Sequence, residues 1–199
     1  MMATERTIRR MILGFLIMLA ATAMAVSALV ALVVVSPYRL ERVTTFLNPW
    51  ADPFNSGFQL TQSLIAIGRG ELSGVGLGAS IQKLFYLPEA HTDFVFAVFA
   101  EEFGLLGVLT LLALYMFVIG RGLFIAVQAH DTYSRLLAGS ISLTFMVYVF
   151  VNTAMVTGLV PVVGVPLPLV SFGGTSMVTL MAGFGILMSI HSHRKLLPH

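Results

Sequence analysis

The residues with chemistry to offer gather in two stretches of the chain. The first is Pro88-Glu89-Ala90-His91-Thr92-Asp93-Phe94, followed closely by Glu101-Glu102. A carboxylate within hydrogen-bond reach of a hydroxyl can take its proton, so Asp93 is a candidate general base. Carboxylates at a membrane boundary are costly unless they face water, a partner or a cavity, which singles out Asp93 as a functional residue. If a helix starts near Thr92, Thr92 caps it and Asp93 falls in its first turn. Glu101 then lies about 80° around the helix from Asp93 and Glu102 on the opposite side, so only Glu101 would share a cavity wall with Asp93. His91 beside them suits a base or ligand, and equally a structural role at a loop-to-helix junction.

The second stretch runs Gly158-Leu-Val-Pro161-Val-Val-Gly164-Val-Pro166-Leu-Pro168-Leu-Val-Ser171-Phe-Gly173-Gly174-Thr175-Ser176. It is almost wholly apolar, yet its prolines and glycines forbid a regular helix. Broken backbone at membrane depth is tolerated only where protein buries it or it lines a watery cavity, so a re-entrant elbow over 158–168, facing a pocket, is expected. Between α-helical patterns, Gly68, Gly70, Gly74, Gly76 and Gly78 form a run that lacks the Lys-Ser/Thr and strand context of a nucleotide loop, and reads as a mobile lid or hinge. Arg69 and Lys83 are the local cations.

These residues must be positioned by membrane helices. The chain is 57% hydrophobic and 10% charged, with a mean hydropathy of +0.93, which excludes a water-soluble fold and disorder alike. It has no cysteine, removing disulfides, thiolate metal sites and cysteine nucleophiles. Its 11 Lys+Arg against 9 Asp+Glu form no basic run, so nucleic acid is not a partner. Four transmembrane helices are expected in an all-α bundle forming one integral membrane domain, at 11–36, 93–125, 136–157 and 169–190. The first of these is too long an apolar run for a signal peptide. Residues 37–92 form a large outward loop, with a short interfacial helix around Phe58, Leu60, Leu64, Ile65 and Ile67. Arg6, Arg9, Arg10, Arg121, Arg135, Arg194 and Lys195 all fall on one side of that arrangement, placing both termini and the tail 191–199 in the cytoplasm. His130, His191, His193 and His199 belong to that side, where a His-x-His without a third ligand is weak evidence for metal.

Several separated motifs together resemble the SEDS family: Asn48-Pro-Trp-Ala-Asp52-Pro-Phe-Asn-Ser-Gly57-Phe-Gln59, Gln62-Ser63-Leu-Ile-Ala-Ile-Gly68, Pro88 to Phe94 with Glu101-Glu102-Phe-Gly104, and Pro168-Leu-Val-Ser171-Phe-Gly173-Gly174-Thr175-Ser176. Ala90 ahead of His-Thr-Asp, and Gly70-Glu71-Leu72, resemble the FtsW, or cell-division, branch. The resemblance implies a fold of about ten transmembrane helices, of which this chain corresponds to roughly the last four. It implies a peptidoglycan glycosyltransferase of the bacterial inner membrane at the division septum. The enzyme would polymerise lipid II, using Asp93 as the catalytic aspartate. Lys83, Arg69, His91, Thr92, Glu101, Ser171, Gly173, Gly174 and Ser176 are then expected around the substrate. The implied partners are a class B penicillin-binding transpeptidase, other divisome proteins and membrane lipids. A divalent cation, Mg or Mn, would suit the leaving diphosphate, and no organic cofactor is implied. The alternative is a non-catalytic lipid II translocator or divisome scaffold. Translocation favours charges along a path, and the expected spans hold none beyond Glu101 and Glu102 near one end.

Overall fold

The computed structural model describes residues 35–55, 57–83, 87 and 89–192, with Thr22, Met24 and Ser27. The chain divides into two units, Met1–Thr44 and Thr45–His199. The first expected span, 11–36, falls almost wholly outside the described residues, as does the tail beyond Ser192. Residues 37–47 form a helix, α1, Pro37–Leu47, followed by a single 3₁₀ turn at Pro49–Ala51.

The second unit is all helix and loop among its described residues. It contains α2, Phe58–Arg69, α3, Val95–Gln128, α4, Thr132–Val156, and α5, Gly174–Ser192. The last three are long and apolar enough to cross a membrane, with mean hydropathies of 2.3, 1.6 and 1.3. The protein is thus a polytopic helical membrane protein. Asp131 opens α4 by accepting the amide of Ser134 at 2.8 Å, and the short connection from α3 makes the two helices antiparallel neighbours. An aromatic ladder joins all three long helices: Phe145 of α4 meets Tyr115 of α3 and Phe184 of α5 edge to face, with centroids 5.8 and 5.5 Å apart.

α3 is one helix in name and two in geometry. Its 34 residues would reach about 51 Å, well beyond a hydrocarbon core of about 30 Å. Gly104, at φ 65° and ψ −165°, breaks it. The stretch after the break, 105–128, is about 36 Å long and suffices to cross. Val95–Phe103, carrying Glu101 and Glu102, forms a short separate piece before it.

The break is filled by the glycine run. In an unbroken helix the amides of Leu105 and Leu106 would close on the carbonyls of Glu101 and Glu102. Here they donate instead to the carbonyls of Glu71 and Leu72, at 2.9 and 3.1 Å. The freed carbonyls of Glu101 and Glu102 accept from the amides of Val75 and Gly76, at 2.9 and 3.1 Å. This corrects the expectation of a mobile lid for the first half of the run. A side chain at Gly70 would overlap the carbonyl of Ala100, and one at Gly74 that of Glu102, so both are required for close packing. Gly68, Gly76 and Gly78 have open space around them.

The expected short helix, α2, packs into the same end of the bundle and buries Leu60 and Ala66 together with Thr61 and Ser63. Ser63 donates to the carbonyl of Val156 at 2.8 Å, satisfying one of the orphan acceptors at the end of α4.

Candidate functional site

Asp93 does not lie in a helix. α3 begins at Val95, its N-cap Phe94 offers no side-chain hydrogen bond, and its first turn holds no acidic residue. The physical reason lies two turns earlier: Glu89 takes φ 56°, and its carbonyl accepts from the amides of Thr92 and Phe94, closing a tight turn. The hydroxyl of Thr92 points back to the Glu89 carboxylate at 2.7 Å rather than forward as a cap. A helical wheel therefore does not relate Asp93 to Glu101, and the shared cavity wall expected of that pair is not formed.

The turn instead docks on the proline elbow, which is irregular from Thr157 to Gly173. Phe172 donates its amide to the carbonyl of His91 at 2.8 Å. Ser171 donates its hydroxyl to the carbonyl of Thr92 and accepts the amide of Leu167. Asn152 of α4 bridges the two segments, donating to the carbonyls of Asp93 and Val165 at 2.9 and 2.6 Å. Tyr115 of α3 reaches the carbonyl of Pro168 at 2.6 Å. The elbow's polar backbone is thus met by side chains from three directions. At its centre the Asp93 carboxyl lies over Gly164, where a methyl group would stand 3.0 Å from Oδ2; Gly164 has φ 81°. Asp93 is half-buried, and burial first, with the charge of Glu89 second, raises its carboxyl above the usual 3.8. A carboxylate raised by burial and a specific charged neighbour is characteristic of acid–base sites, and the left-handed backbone of Glu89 and of Leu169, at φ 64°, is strain of the kind functional sites retain.

The remaining candidates separate into three places. His91, Ser171, Gly173 and Gly174 border an open cavity of about 740 Å³. Ser176 lies in a second cavity of about 590 Å³ between α4 and α5, where Pro166 and Pro168 meet Thr144, Tyr148 and Thr179. Arg69, Lys83 and Glu101 stand together at the glycine run. Glu101 is fully buried, bonded by the hydroxyl of Ser80, with Arg69 3.5 Å away. Lys83 pairs with Glu102 at 2.9 Å. Glu101 serves that packing, its side chain 0% exposed against 43% for Arg69. Thr92 contributes through its carbonyl. Among the described residues no three His, Asp or Glu side chains come together as a cation cage.

Asn152 and Tyr115 were not singled out in the sequence. The available signal was a neutral polar side chain inside an apolar span, which a search for charges passes over.

A multi-pass membrane bundle with a raised carboxylate held over a proline elbow at one end is the class that fold and site define. Over residues 7–196 the chain matches the FTSW_RODA_SPOVE family, described as "Cell cycle protein", and it belongs to that family. It is 56% identical over 161 residues to the peptidoglycan glycosyltransferase MrdB of Escherichia coli (strain K12), covering 80% of this chain and 44% of that one. It is 52% identical over 168 residues to the probable peptidoglycan glycosyltransferase FtsW of Alkalilimnicola ehrlichii, covering 83% and 42%. The chain spans less than half the length of these curated relatives, and its similarity extends to proteins of both names. A solved chain from work on polymerization and crosslinking by a peptidoglycan synthase complex matches with a TM-score of 0.67 and 31% identity, over 90% of this chain and 50% of that one.

Proposed function

We propose that this chain carries the catalytic end of a peptidoglycan glycosyltransferase that polymerises lipid II on the outer face of the bacterial inner membrane, with both termini in the cytoplasm. The observation that carries the reading is the Asp93 carboxyl, half-buried over Gly164, with its affinity for protons raised. The acceptor sugar's hydroxyl oxygen attacks the anomeric carbon of the donor, the bond from that carbon to the diphosphate breaks, and the diphosphate leaves with the electron pair. Asp93 accepts the hydroxyl proton. The leaving diphosphate is a weak base and needs its charge neutralised rather than a proton, so one carboxyl suffices, unlike the pair used in glycoside hydrolysis. Arg69 and Lys83 are the cations we assign to that charge; each is partly exposed while paired with its glutamate. His91, Ser171, Gly173 and Gly174 would border the sugars, and the groove holding Ser176 would take apolar chain. A divalent cation, Mg or Mn, would add to the neutralisation of the diphosphate charge. The FtsW-like motifs support placement at the division septum, beside other divisome proteins and a class B penicillin-binding transpeptidase.

The test is Asp93→Asn in the full-length protein, supplied with purified lipid II and read as glycan strand length on a gel. Loss of a general base predicts a rate lower by about 10²- to 10⁴-fold. Wild-type polymer from a folded Asp93→Asn protein would overturn the proposal.

A further inference from the structure

We propose that Asn152 is a positioning residue for Asp93, setting the place of its carboxyl through the main chain. The inference rests on the reading of Asp93 as the base. Asn152 lies one turn before the end of α4, with 0% of its surface exposed. Its amide nitrogen donates to two carbonyls, those of Asp93 and Val165. Carbonyls only accept, so the orientation of the side-chain amide follows from its neighbours.

The two carbonyls are the two sides of one contact. Asp93 precedes the first turn of α3 and has no helix to fix it. Val165 follows Gly164, the residue beneath Oδ2 of Asp93. A single side chain therefore holds both the carboxylate's own backbone and the strip on which the carboxylate rests. Met155, three residues further along α4, steadies the same strip, its sulfur accepting from the amides of Val163 and Gly164 at 3.2 and 3.3 Å. The Oδ1 of Asn152 is buried without a hydrogen-bond partner. That is a desolvation cost which an apolar side chain of similar size would avoid, and stability alone does not explain why an amide stands there.

The titratable groups near Asp93 are Glu89 and His91 of its own turn; the elbow from Thr157 to Gly173 and the last two turns of α4 carry none. Releasing the tether lets the turn carry the carboxyl toward water and lowers its proton affinity, a change that loss of folded protein alone cannot produce.

The experiment uses the full-length protein in lipid nanodiscs and measures initial rates of lipid II polymerisation against substrate concentration and pH. Asn152→Leu, which keeps the branched shape and heavy-atom count and removes both donors, is expected to lower kcat about 10- to 100-fold, the effect of a misplacement near 1 Å. KM should change little, and the acid limb of the rate profile should move down toward the ordinary carboxylate midpoint of 3.8. Should Asn152→Leu fail to fold, Asn152→Thr replaces it. Its single hydroxyl can donate at most one of the two bonds and adds no titrating group, and a smaller shift in the same direction is expected. A rate that falls only in proportion to folded protein, with the acid limb in place, overturns the inference. Activity retained by Asp93→Asn in the same assay sinks the base assignment itself. An inactive Asp93→Asn beside an Asn152→Leu of wild-type kcat and pH profile removes the positioning role alone.

Discussion

Gly74 and Gly78 share a φ of 78°, yet a side chain at Gly74 would overlap the carbonyl oxygen of Glu102 while one at Gly78 would meet nothing within 4 Å. Alanine at either position incurs the same left-handed cost of about 1–2 kcal/mol. The comparison therefore isolates the wedge in α3. At Gly74 the overlap is with backbone, which cannot rotate aside, and forcing it costs about 1–3 kcal/mol. The escape is to lift the loop, which breaks the bonds of Val75 to Glu101 and Gly76 to Glu102 at about 0.5–1.5 kcal/mol each. Both routes cost a similar amount, so Gly74→Ala should lose about 1–3 kcal/mol more than Gly78→Ala, or about 5- to 150-fold in the local opening equilibrium. Hydrogen exchange of the Leu105 and Leu106 amides in nanodiscs reads that quantity, because both donate to the loop. Equal protection in the two variants would refute the wedge.

Further outcomes follow from the charged groups. Asp93 binds its proton more tightly folded than unfolded. Its contribution to stability is therefore complete below 3.8 and is lost as pH rises through the folded midpoint, while base activity grows across the same window. Glu89→Gln removes the second cause of that rise and keeps an acceptor for Thr92, so the acid limb of the rate profile should move down, though not fully to 3.8, since burial remains. An unmoved limb contradicts the assignment. Lys83→Met should leave the mostly buried Glu102 unpaired and destabilise the protein, whereas adding Glu102→Gln should recover part of the loss. A double-mutant cycle on apparent unfolding midpoints measures this, and simple additivity would argue against the pair.

Much of the architecture could be read from composition, because uncharged apolar runs of this length have few alternatives to crossing a bilayer. The elbow was legible for a related reason: Pro161, Pro166 and Pro168 within an apolar stretch leave no regular structure to adopt. What escaped was long-range or conformationally specific. The turn at Glu89 depends on a left-handed glutamate, which no local pattern announces, and it moved the start of α3 from near Thr92 to Val95. Gly70 and Gly74 read as flexible because their constraint comes from Ala100 and Glu102, some thirty residues away in sequence. The pairing of Arg69 with Glu101 and of Lys83 with Glu102 was not legible, because Glu101 was assigned to a helix face with Asp93 and Glu102 to the opposite face.

The two breaks in the bundle are satisfied by different means. At Gly104 the loop's main chain supplies the bonds that an unbroken helix would make within itself. At the elbow side chains supply them. Its prolines exclude a helix, and without Asn152, Tyr115 and Ser171 the carbonyls they bind would lose these donors. Both breaks are therefore held by specific partners, the elbow by side chains and the break at Gly104 by main chain. Asp93 stands between them, bonded to the elbow through its carbonyl and continuous with the short helix piece that the wedge holds. A carboxylate so placed keeps its alignment with the elbow through direct hydrogen bonds, while any change at Gly104 reaches it only through the nine residues from Val95 to Phe103.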